Sequence, residues 1–218
     1  MPRHKLKKFI ELKTFGNVLE VGDPDIKQRI KKFIGRKNKL ILELGCGKGE
    51  YSVALAEKNP DKKFAGLDIQ GERLWHGAKK TQEKNLTNII FVRFQAEHLN
   101  KIFSKHSVDE IWLTFPDPYP RKKQAKKRLV SPQFLKVYKN LLKDNGLVHL
   151  KTDDKKLFNF AIASSKIEGF KINKKIIDIY KRKKISSDLM IKTYFETLPR
   201  EYFGNLYDKV KITLSKGE

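Results

Sequence analysis

The chain has 218 residues, of which 48 are lysine or arginine and 25 are aspartate or glutamate, so its formal net charge is +23. This length suits one domain with a full core, and a hydrophobic content of 39% excludes a disordered protein. The positive charge is clustered along the chain. It therefore indicates a polyanionic partner such as nucleic acid, more than a general lysine bias of the proteome.

Several classes of protein are disfavoured by the same composition. No apolar run approaches the roughly 20 residues of a membrane-spanning helix. The basic start Met1–Lys5 is not followed by the apolar region of a secretory signal. Cys46 is the single cysteine, which excludes an internal disulfide, and the five histidines lack metal-ligand spacing. We therefore expect a cytoplasmic protein that binds neither membrane nor metal.

The N-terminal 35 residues are basic, and we expect them to be irregular apart from one helix. That helix is predicted over 26–34, with Asp25 as its N-cap and Gly35 as its stop. We accordingly divide the chain into a basic N-terminal arm with a short helix, 1–38, and one α/β domain, 39–218.

From Lys39 onward, short apolar runs alternate with longer amphipathic ones. Asn145-Gly146 predicts a turn before the fifth strand of this region, and the pattern beyond Gly169 is again strand-like. Alternating strands and helices indicate βαβ units, and hence a doubly wound, mostly parallel sheet in a three-layer αβα arrangement. The final strand, 209–214, is predicted to be antiparallel. The other predicted strands are 40–44, 63–69, 88–94, 110–115 and 147–151, and the helices are 51–58, 72–85, 131–143 and 155–165.

A glycine-rich loop follows the first strand of the alternating region. Gly45, Gly47 and Gly49 stand at alternate positions after Glu43, and position 50 is glutamate, so the dinucleotide pattern Gly-x-Gly-x-x-Gly is not met. The spacing instead resembles motif I of the Rossmann-like S-adenosylmethionine-dependent methyltransferases. An acidic residue beside the loop suits a ligand that carries an ammonium and a sulfonium group, and would repel a pyrophosphate.

Polar side chains also follow the next two strands. Asp68 ends the second strand, where a carboxylate can accept both ribose hydroxyls at the carboxyl edge of the sheet. Gln95 follows the third strand, where the methyltransferase resemblance implies a contact with adenine. The loop and Asp68 together predict S-adenosylmethionine as the cofactor.

The most specific segment is Phe115–Pro120, which reads Phe-Pro-Asp-Pro-Tyr-Pro after the fourth strand. Its three prolines restrict the backbone around Asp117 and Tyr119. Six of the next eight residues, 121–128, are basic. With Lys151-Thr152-Asp153 and Thr193–Glu196, this segment resembles the tRNA (guanine-N7)-methyltransferase family, in matching order over roughly residue 40 to the end. The family commonly has Trp, Lys, and Asp or Asn where this chain has Tyr119, Arg121 and Gln95.

The resemblance implies a role for each matching residue. Asp117 would be catalytic and would also line the cofactor site, and tRNA would be the partner of a monomer or homodimer that methylates the variable-loop guanosine. The cofactor-binding residues would be Glu43, Gly45, Gly47, Gly49, Asp68, Gln95 and Asp117. The substrate-binding residues would be Arg121, Asp153, Thr193, Tyr194, Phe195 and Glu196. The RNA-binding residues would be Lys123, Lys126, Lys127 and Arg128.

Guanine N7 has a lone pair and no proton to remove, so the reaction needs alignment more than a strong base. Asp117 and Asp153 could stabilise the charge that develops on the purine or could bind the guanine N1 and N2 donors. Asp153 could also simply cap the helix that begins near Lys155. An exocyclic-amine methyltransferase is disfavoured because those enzymes carry two prolines before the aromatic residue. A non-enzymatic RNA-binding protein is disfavoured by the intact glycine loop.

Overall fold

The computed structural model describes residues 3–176, 179, 186–197 and 210–216. The chain divides into two compact units, 1–104 and 105–218. Strands in the first unit are β1 (Val18–Glu20), β2 (Leu40–Leu44), β3 (Lys63–Asp68) and β4 (Ile89–Arg93), and in the second β5 (Val108–Thr114), β6 (Leu142–Thr152), β7 (Phe170–Ile176) and β8 (Val210–Lys216). Helices are α1 (Arg3–Leu12), α2 (Ile26–Ile34), α3 (Glu50–Lys58) and α4 (Gly71–Glu83) in the first unit, and α5 (Pro132–Leu141), α6 (Lys155–Ile167) and α7 (Tyr194–Thr197) in the second.

The first unit contains four parallel strands in the order β1-β4-β3-β2. β2 is buried along its whole length, as expected for a strand covered on both faces. Parallel strands bring their carboxyl ends to one edge, so the residues after β2, β3 and β4 meet there. The predicted strands and helices of this unit are confirmed to within three residues.

The second unit has the strand order β5-β6-β8-β7, in which β5 and β6 are parallel and β8 is antiparallel to both of its neighbours. The prediction of an antiparallel last strand is confirmed. The prediction of a turn at Asn145-Gly146 is wrong, because both residues lie within β6. The register jumps there from Val108↔Leu142 to Glu110↔Leu147, so the extra residues are taken up as a bulge.

The expectation of an irregular N-terminus is also wrong. α1 packs on α4, with Leu12 fully buried and Trp75 Nε1 donating to Glu11 Oε2 at 2.9 Å. β1 pairs with β4 in the parallel register Val18↔Phe91. α2 has the predicted bounds, but Asp25 precedes it with φ 60° and makes no side-chain cap. The many lysines of residues 5–13 make the apolar positions of this helix hard to recognise in the sequence. These positions find their packing partner, α4, only in the folded unit.

Candidate functional site

The glycine loop of the first unit is held by backbone hydrogen bonds. Gly45 N and Cys46 N both donate to Leu67 O, at 2.8 and 3.0 Å, and Gly49 N donates to Cys46 O at 2.8 Å. Gly47 has φ 57° and Gly49 has φ 74°, in the left-handed region that glycine adopts at no steric cost. The loop therefore has a fixed shape that depends on main-chain groups.

Asp68 fastens this loop to the end of β3. Its Oδ2 accepts from Gly47 N at 3.0 Å and its Oδ1 from Gln70 N at 2.8 Å. A carboxylate has about four lone-pair positions, so two further hydrogen bonds remain possible in principle. The predicted ribose contact is therefore compatible with the structural role that Asp68 already has.

Glu43 is buried within β2 and accepts a hydrogen bond from Ser52 Oγ of α3. Its negative charge affects the nearby Cys46 thiol. Burial, followed by the charges of Glu43, Asp68 and Glu50, raises the pKa of the Cys46 thiol well above its usual value. A site with this concentration of carboxylates suits a cationic ligand. Gln95 is exposed and directly precedes the 3₁₀ turn Ala96–Lys101, after the carboxyl end of β4.

The two later glycines of the loop face different surroundings. A Cβ added at Gly47 would meet nothing within 4 Å, so a ligand could approach the backbone there. A Cβ at Gly49 would lie 2.5 Å from Phe91 Cε1, because α3 begins close against the strands. The loop is therefore open at Gly47 and tightly packed at Gly49, and the buried carboxylates of Glu43 and Asp68 lie on the neighbouring strands.

In the second unit, the Phe115–Pro120 turn continues directly from β5. Phe115 N donates to Lys151 O at 2.8 Å, so the turn begins beside the carboxyl end of β6. Phe115 and Tyr119 have φ values of 49° and 42°, which are rare for residues other than glycine. Asp117 lies between them and is exposed. The turn thus presents a carboxylate on a constrained backbone.

The carboxyl end of β6 supplies a second carboxylate. Asp154, and not Asp153, caps α6, since Asp154 Oδ1 accepts from Leu157 N at 2.6 Å. Asp153 is half-buried and precedes this cap. Because β5 and β6 are parallel neighbours, Asp117 and Asp153 follow strands that end at the same edge of the second unit.

Lys151 is a functional candidate that the sequence interpretation missed. Its side chain is fully buried, and its Nζ donates to Ile191 O at 2.9 Å, Leu189 O at 3.3 Å and Glu196 Oε2 at 3.0 Å. It therefore attaches the 186–197 segment to β6. A lysine at the end of an otherwise apolar strand was the available signal.

Thr193 and Glu196 form a capping box at the start of α7. Thr193 N donates to Glu196 Oε2 at 2.9 Å, and Glu196 N donates to Thr193 Oγ1 at 3.4 Å. The Thr193–Glu196 spacing that led to the family resemblance thus also has a local structural role. Tyr194 is half exposed, and the side chain of Phe195 lies outside the described residues.

The basic run adopts a 3₁₀ turn, Lys122–Lys127, after the proline-rich segment. Arg121, Lys123, Lys126 and Lys127 are exposed, as phosphate contacts require. Arg128 differs from them. Its guanidinium donates to the carbonyls of Pro118 and Tyr119, and it is only partly exposed.

A buried polar network covers one face of β5, β6 and β8. Trp112 stacks on His149 with 4.2 Å between ring centroids, and its Nε1 donates to Glu110 Oε2 at 3.1 Å. His149 Nε2 lies 3.2 Å from the same Glu110 oxygen, and burial lowers the pKa of His149. Lys211 Nζ lies 4.7 Å from the Trp112 ring centroid, and burial lowers the pKa of Lys211 to about 8. Local sequence gives no hint that these charged groups face inward.

Two predicted absences concern metals and membranes. Among the residues that the structure describes, no group of three or more His, Cys, Asp or Glu side chains could hold a metal ion. The prediction of a metal-free enzyme stays a prediction. Within the same described ranges, no helix has the length and apolarity needed to cross a membrane.

Comparison with solved structures shows the fold, and a family model shows the class of protein. An antibiotic-related methyltransferase superposes with a TM-score of 0.64 at 20% identity, and the 16S rRNA methyltransferase KamB with 0.66 at 14% identity; each comparison covers 88% of this chain and 94% of the other. The family model "Putative methyltransferase" matches residues 37–199. The chain is a methyltransferase by family, and the predicted Rossmann-like fold class is confirmed.

Sequence comparison narrows the family. The tRNA (guanine-N(7)-)-methyltransferase of Christiangramia forsetii is 39% identical over 89% of this chain and 91% of the relative. The enzyme of the same name from Bacteroides fragilis is 36% identical over 90% of this chain and 80% of the relative. The chain belongs to the tRNA (guanine-N7)-methyltransferase family.

Proposed function

We propose that this chain transfers a methyl group from S-adenosylmethionine to N7 of the variable-loop guanosine of tRNA. The observation that carries the proposal is the proline-rich turn bearing Asp117, which begins beside the Lys151–Asp153 strand end in a member of this family. A cytoplasmic location is part of the same proposal. The division into a 1–38 arm and a 39–218 catalytic domain, and a monomeric or homodimeric state, remain part of the proposal.

The first unit would hold the cofactor, which supplies an electrophilic methyl group when it is bound. The Gly45–Gly49 loop would bind the amino-acid part of the cofactor, and the nearby Glu43 would complement the positive charge of the cofactor. Asp68 would accept hydrogen bonds from the ribose hydroxyls. Gln95 would contact the adenine. The support for this assignment is the open cradle at Gly47 beside the buried Glu43 and Asp68.

The second unit would orient the guanine. N7 carries a lone pair and no proton, so the catalytic contribution is alignment, together with electrostatic stabilisation of the positive charge that develops on the purine. Asp117 and Asp153 are the carboxylates proposed for this role. Each could alternatively accept from the guanine N1 and N2 donors. Thr193–Glu196 and Arg121 would complete the contacts to the substrate.

The exposed lysines 123, 126 and 127 would bind the tRNA backbone. If about six phosphates are neutralised over the whole surface, affinity should fall roughly 10³-fold between 50 and 200 mM salt. This term is independent of sequence, so it adds affinity without selecting the guanosine.

The test is to incubate the purified chain with unmodified tRNA and labelled S-adenosylmethionine, and to identify the product nucleoside by mass spectrometry. Borohydride–aniline cleavage of the same tRNA then locates an N7-methylguanosine. We expect one cleavage, in the variable loop. Labelled tRNA that resists cleavage would point to methylation of an exocyclic amine.

Asp117→Ala tests the proposed catalytic residue. We expect methyl transfer to fall by at least about 10²-fold, as for loss of a group that stabilises developing charge. The thermal unfolding temperature should change little because Asp117 is exposed. Unchanged turnover would remove Asp117 from the catalytic machinery. Calorimetric titration with S-adenosylmethionine shows whether the variant also loses the proposed cofactor contact.

A further inference from the structure

The proline-rich turn has backbone groups that it cannot satisfy by itself. Pro116, Pro118 and Pro120 have no N–H, so alternate positions of the turn cannot donate to neighbouring carbonyls. The left-handed φ values of Phe115 and Tyr119 are conformations that persist only where surrounding contacts impose them. The turn therefore depends on donors from elsewhere in the second unit.

Arg128 supplies these donors. Its Nε donates to Pro118 O at 2.9 Å and to Tyr119 O at 3.3 Å, and its Nη2 donates to Tyr119 O at 2.9 Å. Both carbonyls belong to the residues that directly follow Asp117. Fixing them fixes the peptide planes on the C-terminal side of that carboxylate.

The orientation of the guanidinium is itself fixed by packing. Its central carbon lies 4.3 Å from the ring centroid of Phe160 on α6. A planar group that stacks on a ring while donating in a fork is the arrangement that arginine makes and lysine does not. The guanidinium thus joins α6 to the turn, and two of its nitrogens, Nε and Nη2, are directed at protein carbonyls.

We infer that Arg128 is a positioning residue for the methyl-transfer turn: it holds the Pro118 and Tyr119 carbonyls so that Asp117 is presented in one geometry. The inference deepens the proposed function and rests on it. It separates Arg128 from its basic neighbours, although the sequence interpretation grouped all of them as RNA contacts. Lys127 is exposed and remains a phosphate contact.

A residue that positions the turn and a residue that binds an RNA phosphate should respond differently to substitution. Arg128→Lys keeps the charge and loses the fork, so we expect the single-turnover rate at saturating tRNA and cofactor to fall by about 10- to 100-fold, as for a misplaced reacting group. The affinity for tRNA and its salt dependence should stay within about twofold of the wild type. The matched control, Lys127→Ala, should weaken tRNA binding and reduce the slope of log affinity against log salt by about one.

The experiment measures saturated single-turnover rates and tRNA affinities at several salt concentrations for wild type, Arg128→Lys, Arg128→Ala and Lys127→Ala. If Arg128→Lys fails to fold, Phe160→Leu removes the stacking surface without changing any charge and should lower the saturated rate alone. The inference is overturned if Arg128→Lys turns over like the wild type. It is equally overturned if Arg128→Ala reproduces the pattern of Lys127→Ala. A wild-type enzyme that forms no N7-methylguanosine would instead overturn the proposed function.

Discussion

The two units hold their proposed functional residues by different physical means. In the first unit, main-chain hydrogen bonds and glycines at positive φ set the shape of the 45–49 loop, and Asp68 binds backbone N–H groups. In the second unit, long charged side chains hold the segments in place by hydrogen bonds. Arg128 binds the proline-rich turn, and Lys151 binds the 186–197 segment. At the proline-rich turn the difference follows from the local chain, since prolines remove the donors that the first unit uses.

This difference has consequences for tolerance to substitution. A site built from main chain is sensitive to any side chain added where there is no room. A site built from buried charges is sensitive to the loss of one partner, because an isolated charge in a low-dielectric interior is costly. Substitutions at Lys151, and at Gly47 and Gly49, test these two weaknesses. Substitution of Lys211 tests the cost of the buried charge itself.

The largest effect is expected at Lys151. Lys151→Met leaves the fully buried Glu196 carboxylate without its ammonium partner, so the free energy of unfolding should fall by about 3–5 kcal/mol. Chemical denaturation monitored by circular dichroism measures it. The double variant Lys151→Met/Glu196→Gln should recover most of this loss, because glutamine also completes a capping box. A single variant as stable as the wild type would show that the pair does not anchor the segment.

The same double variant separates two roles of Glu196. If Glu196 serves only the fold, the stable double variant should methylate tRNA at close to the wild-type rate. If Glu196 also meets substrate, as the sequence predicts, stability recovers and activity does not.

A smaller, pH-dependent effect is expected at Lys211, whose pKa is lowered to about 8 by burial. Below that pH both folded and unfolded chains carry the proton, and the folded chain bears the cost of the buried charge. Between about pH 8 and 10 the folded chain binds fewer protons than the unfolded chain, so the free energy of unfolding should rise. The rise attributable to this lysine is about 2–3 kcal/mol.

Urea denaturation between pH 7 and 10 measures this rise. Lys211→Met should remove it and should be more stable than the wild type at pH 7. Lys171→Met, on the neighbouring strand and exposed, is the matched control and should follow the wild-type curve. Parallel curves for wild type and Lys211→Met would contradict the assignment.

The smallest effect is a difference between two glycines of the first unit. Gly49→Ala and Gly47→Ala both force alanine to a positive φ, at about 1–2 kcal/mol each. Only Gly49→Ala also drives a Cβ into Phe91, which should add about 1–3 kcal/mol. Thermal unfolding ranks the two variants. Calorimetric titration with S-adenosylmethionine should rank the variants in the opposite order. Gly47→Ala should lower the affinity for the cofactor more than Gly49→Ala does, because the Cβ at Gly47 would fill the open side of the loop.

An equal loss of stability in the two variants would mean that Phe91 can move away. Combining Gly49→Ala with Phe91→Leu checks this directly, because the smaller side chain should relieve the added strain.

The sequence predicted the repeating strands and helices of both units closely, because an apolar run such as Leu40–Leu44 and its flanking turns are local signals. It failed at α1 and β1, whose apolar positions are few and acquire partners only on α4 and β4. It also failed at Asn145-Gly146. That dipeptide favours a turn locally, but pairing along β5 absorbs it as a bulge.

By itself, the sequence determined the fold class, the family and the order of the motifs, since these depend on residue type and spacing. Only the tertiary structure decided which basic residues face inward. Arg128 and Lys127 are adjacent and both basic, yet one binds two carbonyls of the turn and the other is exposed. The physical reason is that an inward orientation needs hydrogen-bond acceptors and a packing surface. For Arg128 the acceptors are the carbonyls of Pro118 and Tyr119, earlier in the chain, and the packing surface is Phe160 on a later helix.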